Sequence, residues 1–148
     1  MIDKKTYSEL ASQAKAQGID RWVVSAVIND GPSVLLLERP PADFMGGIYE
    51  LPSGKVEKGE PLDEALIREV AEETGLRVNE ICRYIGFFDY TSKSGKKTRQ
   101  FNFRVGVILP IKVVLTEHIS YAWVKKEELP KYKITEAVAG TLDKFWAK

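Results

Sequence analysis

The chain has 148 residues, of which 44% are hydrophobic and 29% are charged, a length and composition that fit one globular domain with a substantial core. Its net charge of +1 gives no field that would draw it to nucleic acid or to an anionic membrane. The N-terminus has no apolar leader, and no apolar run approaches the ~20 residues of a membrane span. A single cysteine, Cys82, excludes an internal disulfide and favours a reducing, cytoplasmic setting.

The first third of the chain predicts a helix followed by two strands. Asp3 suits the N-cap of a short helix that ends at Gly18, an accessory element formed by residues 1–18. Residues 21–28 and 33–39 are β-rich runs on either side of the turn signal "NDGP", so they predict a hairpin of mostly buried strands. The stretch 40–54, rich in proline and glycine, predicts a loop around a short strand.

The second predicted helix has a clear signal at each end. Pro61 suits its first turn and Gly75 suits a left-handed cap after Thr74. Leu62, Leu66 and Val70 recur every four residues and form an apolar stripe that should face a sheet.

After this helix, residues 83–91, 99–109 and 120–124 read as strands, and Thr135 suits the N-cap of a final helix. The order of strands, helix, strands and helix predicts an α+β fold with a mixed β-sheet between helices.

The second helix concentrates acids on one side. At ~100° per residue, Glu69, Glu72 and Glu73 fall within an arc of roughly 100°, next to Arg68. Like charges at these spacings repel by a few tenths of a kcal/mol per pair. Since hard cations such as Mg²⁺ bind carboxylates together with water and phosphates, one interpretation is a metal site. The other is a solvated acidic face that Arg68 and nearby lysines neutralise.

The residues around this face follow the spacing G-x5-E-x7-R-E-U-x-E-E-x-G-U, where U is a bulky aliphatic residue. The matching positions are Gly54, Glu60, Arg68, Glu69, Val70, Glu72, Glu73, Gly75 and Leu76. This stretch resembles the Nudix box of Nudix hydrolases, and the resemblance implies a single αβα-sandwich domain over residues 1–148. The motif "LPSG" departs from the proline and two glycines that MutT-like members usually show. A φ above zero at Ser53 would therefore strain the backbone.

The resemblance also implies roles for individual residues. Its metal ligands map to the carboxylates of Glu69, Glu72 and Glu73 and to the backbone carbonyl of Ser53. Arg68 is expected to bridge Glu60 and to hold Glu69 in position, with Gly54 and Gly75 supporting the site. The general base maps to Glu69 or to Glu117, and Arg39 matches a position that often contacts phosphate.

Several side chains outside the box have two readings. Arg39 is also an ordinary charge at a strand end, and Glu117 is also an exposed loop acid. His118 can bind a base or phosphate, although a lone loop histidine is more often structural or exposed. Four aromatic side chains can stack on a nucleobase or fill the core: Phe44, Tyr49, Phe87 and Tyr90.

The implied reaction is Mg²⁺-dependent hydrolysis of a nucleoside diphosphate linked to another moiety, with Mn²⁺ as a substitute metal. The general layout favours a nucleoside triphosphate, including oxidised or non-standard ones, cleaved to monophosphate and pyrophosphate. ADP-ribose, a nucleotide sugar or a dinucleoside polyphosphate is the alternative substrate. Two non-enzymatic alternatives are a Nudix-fold module that senses a nucleotide and a purely structural interaction domain. The expected partner is a small-molecule nucleotide, and the first helix or the Trp146 end offers an interface for a homodimer.

Overall fold

A computed structural model describes residues 2–42 and 46–147 of the chain. The helices are α1 (Lys4–Ala16), α2 (Leu62–Thr74) and α3 (Glu136–Ala147), with a 3-10 helix at Lys126–Lys131. The strands are β1 (Arg21–Asp30), β2 (Ser33–Glu38), β3 (Tyr49–Glu50), β4 (Ser53–Lys55), β5 (Val78–Thr91), β6 (Lys97–Val107) and β7 (Ser120–Val124). Within the described ranges, no helix combines the length and the apolar character that a membrane crossing requires.

The strands form a mixed sheet in the order β3-β2-β1-β6-β5, with β4 paired to β1 and β7 paired to β2. The central pair, β1 and β6, is parallel and in register from Arg21 with Thr98 to Ile28 with Val105. The other pairs are antiparallel. The prediction of a mixed sheet is therefore confirmed.

The predicted hairpin between β1 and β2 is confirmed only beside its turn, where Asn29 pairs with Val34 and Asp30 with Ser33. Nearer the start of β1, residues 23–25 pair with β4 instead, while β2 pairs with β3 and β7. The strands diverge because β4 occupies the edge of β1 that β2 would need. The predicted loop around one short strand thus contains two strands, β3 and β4.

Helices cover both faces of the sheet, as expected for the αβα sandwich. One core cluster joins α1 and α2 to one face, and it includes Tyr7, Leu66 and Phe103. The second cluster joins α3 to the opposite face, and it includes Val27 and Leu142. Because side chains alternate along a strand, β1 contributes to both clusters.

The predicted helix ends are confirmed, except that Pro61 is the extended N-cap of α2 and not a residue of its first turn. The side chain of Asp3 accepts a hydrogen bond from the N–H of Lys5, and Thr135 caps α3 by accepting from Val138. Gly75 follows α2 with φ +72°, the left-handed conformation that glycine adopts without strain. The apolar stripe of α2 is buried against the sheet. Glu69 and Glu73, on the acidic side of the helix, lie against β4.

Candidate active site

The acidic side of α2 is organised around the guanidinium group of Arg68. Its Nε and Nη2 donate to the two oxygens of Glu60 at 2.8 and 2.9 Å, the bidentate geometry that guanidinium and carboxylate favour. Its Nη1 donates to Glu69 at 2.7 Å and to Glu72 at 3.1 Å, and its Nη2 also reaches the carbonyl of Lys55 at 3.0 Å. The expected bridge from Arg68 to Glu60 is present, and this hydrogen bond lowers the pKa of Glu60 below its ordinary value.

Glu69 lies against the backbone of β4. A Cβ at Gly54 would fall 1.8 Å from the Oε2 of Glu69, so no larger residue fits at position 54 unless this carboxylate moves. The side chain of Glu69 is 13% exposed. Burial raises its pKa above the ordinary value, although the hydrogen bond and charge of Arg68 oppose the rise. The position of the Glu69 carboxylate thus explains why the first residue of the box, Gly54, is a glycine.

Glu73 is the most perturbed acid of the group. Its Oε1 accepts a hydrogen bond from the N–H of Ser53 at 2.8 Å. Burial raises its pKa from 4.5 to about 7, and the negative charges of Glu50 and Glu69 add to the rise. The bond from Ser53 and the charge of His118 act in the opposite direction without cancelling it. Glu73 is therefore a buried carboxylate whose charge is incompletely compensated, which is the environment that a bound cation would relieve.

Ser53 lies in the extended strand β4, so the departure from two glycines causes no backbone strain there. The N–H of Val56 donates to the carbonyl of Trp22 and the N–H of Ala26 donates to that of Pro52. Hydrogen-bonded and free positions alternate along an antiparallel pair, so the N–H and C=O of Ser53 both point away from β1. The carbonyl of Ser53 therefore shares the edge at which its N–H meets Glu73.

A second polar group, formed by Glu50, Arg39 and His118, adjoins this edge, and of its members only Glu50 is absent from the predicted candidates. The Oε2 of Glu50 lies 2.7 Å from the Nε2 of His118, and its Oε1 lies 3.3 Å from the Nη1 of Arg39. The side chain of His118 is only 6% exposed. Burial alone would lower the pKa of His118, but the bond to Glu50 and the charge of Glu73 outweigh burial and raise it.

The Nδ1 of His118 and the Nε of Arg39 are buried without a hydrogen-bond partner in the part of the chain that the structure describes. Because these two nitrogens are closed to solvent, a phosphate would meet Arg39 through its other guanidinium nitrogens. The sequence does not indicate Glu50, because β3 has only two residues and is too short to show a periodic pattern. Its partner His118 lies 68 positions away in the chain.

Glu117, the second candidate for the general base, is exposed. Its loop is anchored next to the site, because the hydroxyl of Thr116 donates to the carbonyl of Glu72 at 3.0 Å and His118 meets Glu50. Across residues 2–42 and 46–147, the structure gives the carboxylate of Glu117 neither a hydrogen bond nor an ion pair. Of the two candidates, Glu69 lies inside the acidic group and Glu117 lies at its margin.

A cavity of about 450 Å³ opens beside these residues. Arg39, Glu50 and Ser53 line the end that adjoins the acids. The remaining wall combines aliphatic, aromatic and polar side chains, and it includes Leu51, Tyr49, Phe88, Tyr90, Gln100 and Thr135. Of the aromatic candidates, Tyr49 and Tyr90 line this cavity, whereas Phe44 lies outside the described residues.

Phe87 was also a stacking candidate, but it belongs to the opposite face of the sheet. Its ring packs 6.5 Å from that of Phe101, centroid to centroid, and the guanidinium carbon of Arg99 lies 4.0 Å from its centroid. Its neighbour Phe88, which alternates to the other face, contributes to the cavity wall instead.

The donor chemistry of the site fits a hard divalent cation. Carboxylate and carbonyl oxygens are the ligands that Mg²⁺ prefers, and Glu69, Glu72, Glu73 and Ser53 supply them. Two of these carboxylates are held by Arg68, and among the described residues no group of three acidic, histidine or cysteine side chains is arranged to hold a metal ion. The fit therefore rests on the kind of donor and on the uncompensated charge of Glu73.

Comparison with known proteins identifies the family to which this chain belongs. The profile of the NUDIX domain matches residues 20–145. The nucleoside triphosphatase NudI of Escherichia coli O139:H28 is 33% identical over 132 residues, which cover 82% of this chain and 94% of NudI. The CTP pyrophosphohydrolase of Escherichia coli strain K12 is 28% identical over 127 residues, with coverage of 84% and 90%.

Solved structures agree with the fold. The solution structure of the E. coli ORF135 protein superposes with a TM-score of 0.74 at 27% identity, covering 89% of this chain and 92% of that one. The profile spans most of the chain, and the matched segment contains the whole motif from Gly54 to Leu76. The chain therefore belongs to the NUDIX family, and it is a Nudix hydrolase.

Proposed function

We propose that this protein is a Mg²⁺-dependent pyrophosphohydrolase that cleaves nucleoside triphosphates, including oxidised or non-standard ones, to monophosphate and pyrophosphate. The observation that carries the proposal is the junction between the acidic side of α2 and the cavity. Ser53 belongs to both, since its N–H meets Glu73 and it lines the cavity. A nucleotide in this cavity would place its phosphates next to the acids.

Two relatives support the choice of triphosphates. Both are named for hydrolysis of a nucleoside triphosphate, and each aligns over more than four fifths of this chain. The cavity volume of about 450 Å³ is in the range of small-molecule sites. ADP-ribose, nucleotide sugars and dinucleoside polyphosphates remain the alternative substrates.

One set of residues in the site would bind the metal ion. Glu69, Glu72, Glu73 and the carbonyl of Ser53 would hold Mg²⁺, which when bound neutralises phosphate oxygens and lowers the pKa of a water molecule. Arg68 would fix the orientation of Glu69 through the bond at 2.7 Å.

Substrate binding and proton transfer would use other groups. Arg39, which lines the cavity, would bind a phosphate group of the substrate through its guanidinium N–H groups. A carboxylate, Glu69 or Glu117, would accept the proton of the attacking water. The position of Glu69 inside the acidic group favours it for this role.

A substrate panel tests the proposal. Purified protein with Mg²⁺ should convert a triphosphate to monophosphate and pyrophosphate, and Glu73→Gln should abolish this turnover. Glu64→Gln is the matched control, because Glu64 is an exposed acid of the same helix outside the acidic group. Turnover confined to ADP-ribose, a nucleotide sugar or a dinucleoside polyphosphate would replace the substrate class. Full activity of Glu73→Gln would overturn the role of the acidic side of α2.

We further propose that residues 1–148 act as one Nudix domain with α1 as an accessory element. The NUDIX profile begins at residue 20, after this helix. The helix is nevertheless attached to the domain, because Tyr7 is buried in the core and Lys4 pairs with Asp63 of α2 at 3.2 Å. The cytoplasmic setting and the homodimer remain predictions.

A further inference from the structure

A series of buried polar side chains, joined by hydrogen bonds, extends from the interior of the sheet to the cavity. Ser25 of β1 and Asn102 and Gln100 of β6 are at least nine-tenths buried. Gln100 also lines the cavity, directly across the strand pair from Phe88. Cross-strand partners lie on the same face of a sheet, so an aromatic ring and a carboxamide stand side by side in the cavity wall.

Backbone carbonyls determine which way the amide of Asn102 points. Its Nδ2 donates to the carbonyl of Gly86 at 3.2 Å and lies 3.4 Å from the carbonyl of Gln100. A carbonyl oxygen can only accept a hydrogen bond, so the amide nitrogen must occupy this side. The Oδ1 of Asn102 therefore faces the other way, where it accepts from the hydroxyl of Ser25.

The orientation of Asn102 in turn determines that of Gln100. The Oδ1 of Asn102 accepts a second hydrogen bond, at 3.1 Å, from the Nε2 of Gln100. Reversing the amide of Gln100 would bring two acceptor oxygens together, and leaving buried acceptors unpaired is costly. The Oε1 of Gln100 is thus the last atom in this series of hydrogen bonds, and it has no hydrogen-bond partner within the described residues.

We propose that Phe88 and Gln100 form a nucleobase subsite that selects bases carrying an exocyclic amino group. The base stacks on the ring of Phe88, and its amino group donates to the Oε1 of Gln100. This inference deepens the proposed function and rests on it. A base with a carbonyl at the same ring position would instead set one acceptor against another.

The physical basis of selection is the loss of a hydrogen bond in a partly buried site. Cytosine carries an amino group at C4 beside an acceptor nitrogen at N3, where uracil carries a carbonyl beside an N–H group. Adenine and hypoxanthine differ in the same way at C6 and N1. A site built to pair with an N–H group rejects an analogue that lacks it, because both groups remain unsatisfied. We expect the amino member of at least one pair to be preferred about tenfold or more.

The test compares kcat/KM for CTP against UTP and for ATP against ITP in three proteins. Wild type should prefer the amino member. Gln100→Met, which keeps the bulk but removes the acceptor, should bring the ratio to within about threefold while hydrolysis continues. Gln13→Met, the same change at an exposed position of α1, is the matched control.

A binding measurement separates this inference from the proposed function. Calorimetry with CMP, UMP, AMP and IMP reports the base preference without any hydrolysis. Turnover of triphosphates with equal ratios in wild type and Gln100→Met would overturn the subsite and leave the function standing. Preferential binding of CMP or AMP, lost in Gln100→Met, without triphosphate turnover would uphold the subsite and overturn the function. The absence of both turnover and binding would overturn both.

Discussion

Replacing Glu73 with glutamine should stabilise the metal-free protein above neutral pH and at the same time abolish its hydrolytic activity. The reason is the burial of this carboxylate, which raises its pKa from 4.5 to about 7. A folded-state pKa above the unfolded value means that the folded protein holds a proton that the unfolded chain has already lost. Stability therefore falls as the pH rises from 4.5 to about 7.

The size of the effect follows from the same shift. A tenfold change in proton affinity corresponds to ~1.4 kcal/mol, so the rise to about 7 is equivalent to about 3 kcal/mol at pH 8. Glutamine carries no charge, and its side-chain oxygen can still accept the hydrogen bond of Ser53. We therefore expect Glu73→Gln to increase the free energy of unfolding by about 1–3 kcal/mol at pH 8.

Denaturant unfolding of both proteins in the presence of EDTA, at pH 8 and at pH 5, measures this difference. Most of the gain should vanish at pH 5, because the wild-type carboxyl is then protonated in the folded state. Glu64→Gln, at an exposed position of the same helix, should change stability by less than about 0.5 kcal/mol at either pH. A Glu73→Gln protein that is no more stable than wild type at pH 8, or equally stabilised at both pH values, would refute the reasoning.

Two further substitutions test the contacts around Glu69. Arg68→Lys should lower kcat/KM about 10–100-fold, because a lysine cannot make the bidentate pair with Glu60 while also holding Glu69; a change below about twofold would contradict this. Gly54→Ala should displace Glu69, since the new Cβ would fall 1.8 Å from its carboxylate, and we expect at least a tenfold loss of kcat/KM and about 1–3 kcal/mol of stability. Gly140→Ala is the control for Gly54→Ala, because a Cβ at position 140 meets nothing within 4 Å. This control should stabilise α3 by about 0.5–1 kcal/mol. Equal effects of the two substitutions on activity and stability would contradict the steric explanation.

Features encoded by neighbouring residues could be predicted from the sequence. The extent of α2, its left-handed cap at Gly75 and its buried stripe depend on residues three or four positions apart, which is why periodicity reveals them. The same holds for the caps at Asp3 and Thr135. The grouping of Glu69 with Glu73 likewise follows from helical spacing alone.

Features that depend on distant pairing could not be predicted. Glu50 meets His118 only because β3 and β7 both pair with β2. The divergence of β1 and β2 depends on which strand takes the free edge of β1, and local β propensity carries no information about that choice. The link from Ser25 to Asn102 joins residues 77 positions apart, so no spacing rule points to it.

The most direct test of the account is the rate of Mg²⁺-dependent triphosphate hydrolysis by wild type, Glu69→Gln and Glu64→Gln. Both glutamates lie on α2, but Glu69 lies inside the acidic group and Glu64 is exposed outside it. The account predicts that Glu69→Gln loses at least 100-fold in kcat with its fold intact by circular dichroism, while Glu64→Gln matches wild type. If the two variants hydrolyse triphosphates at rates within threefold of wild type, the acidic side of α2 is not the catalytic site.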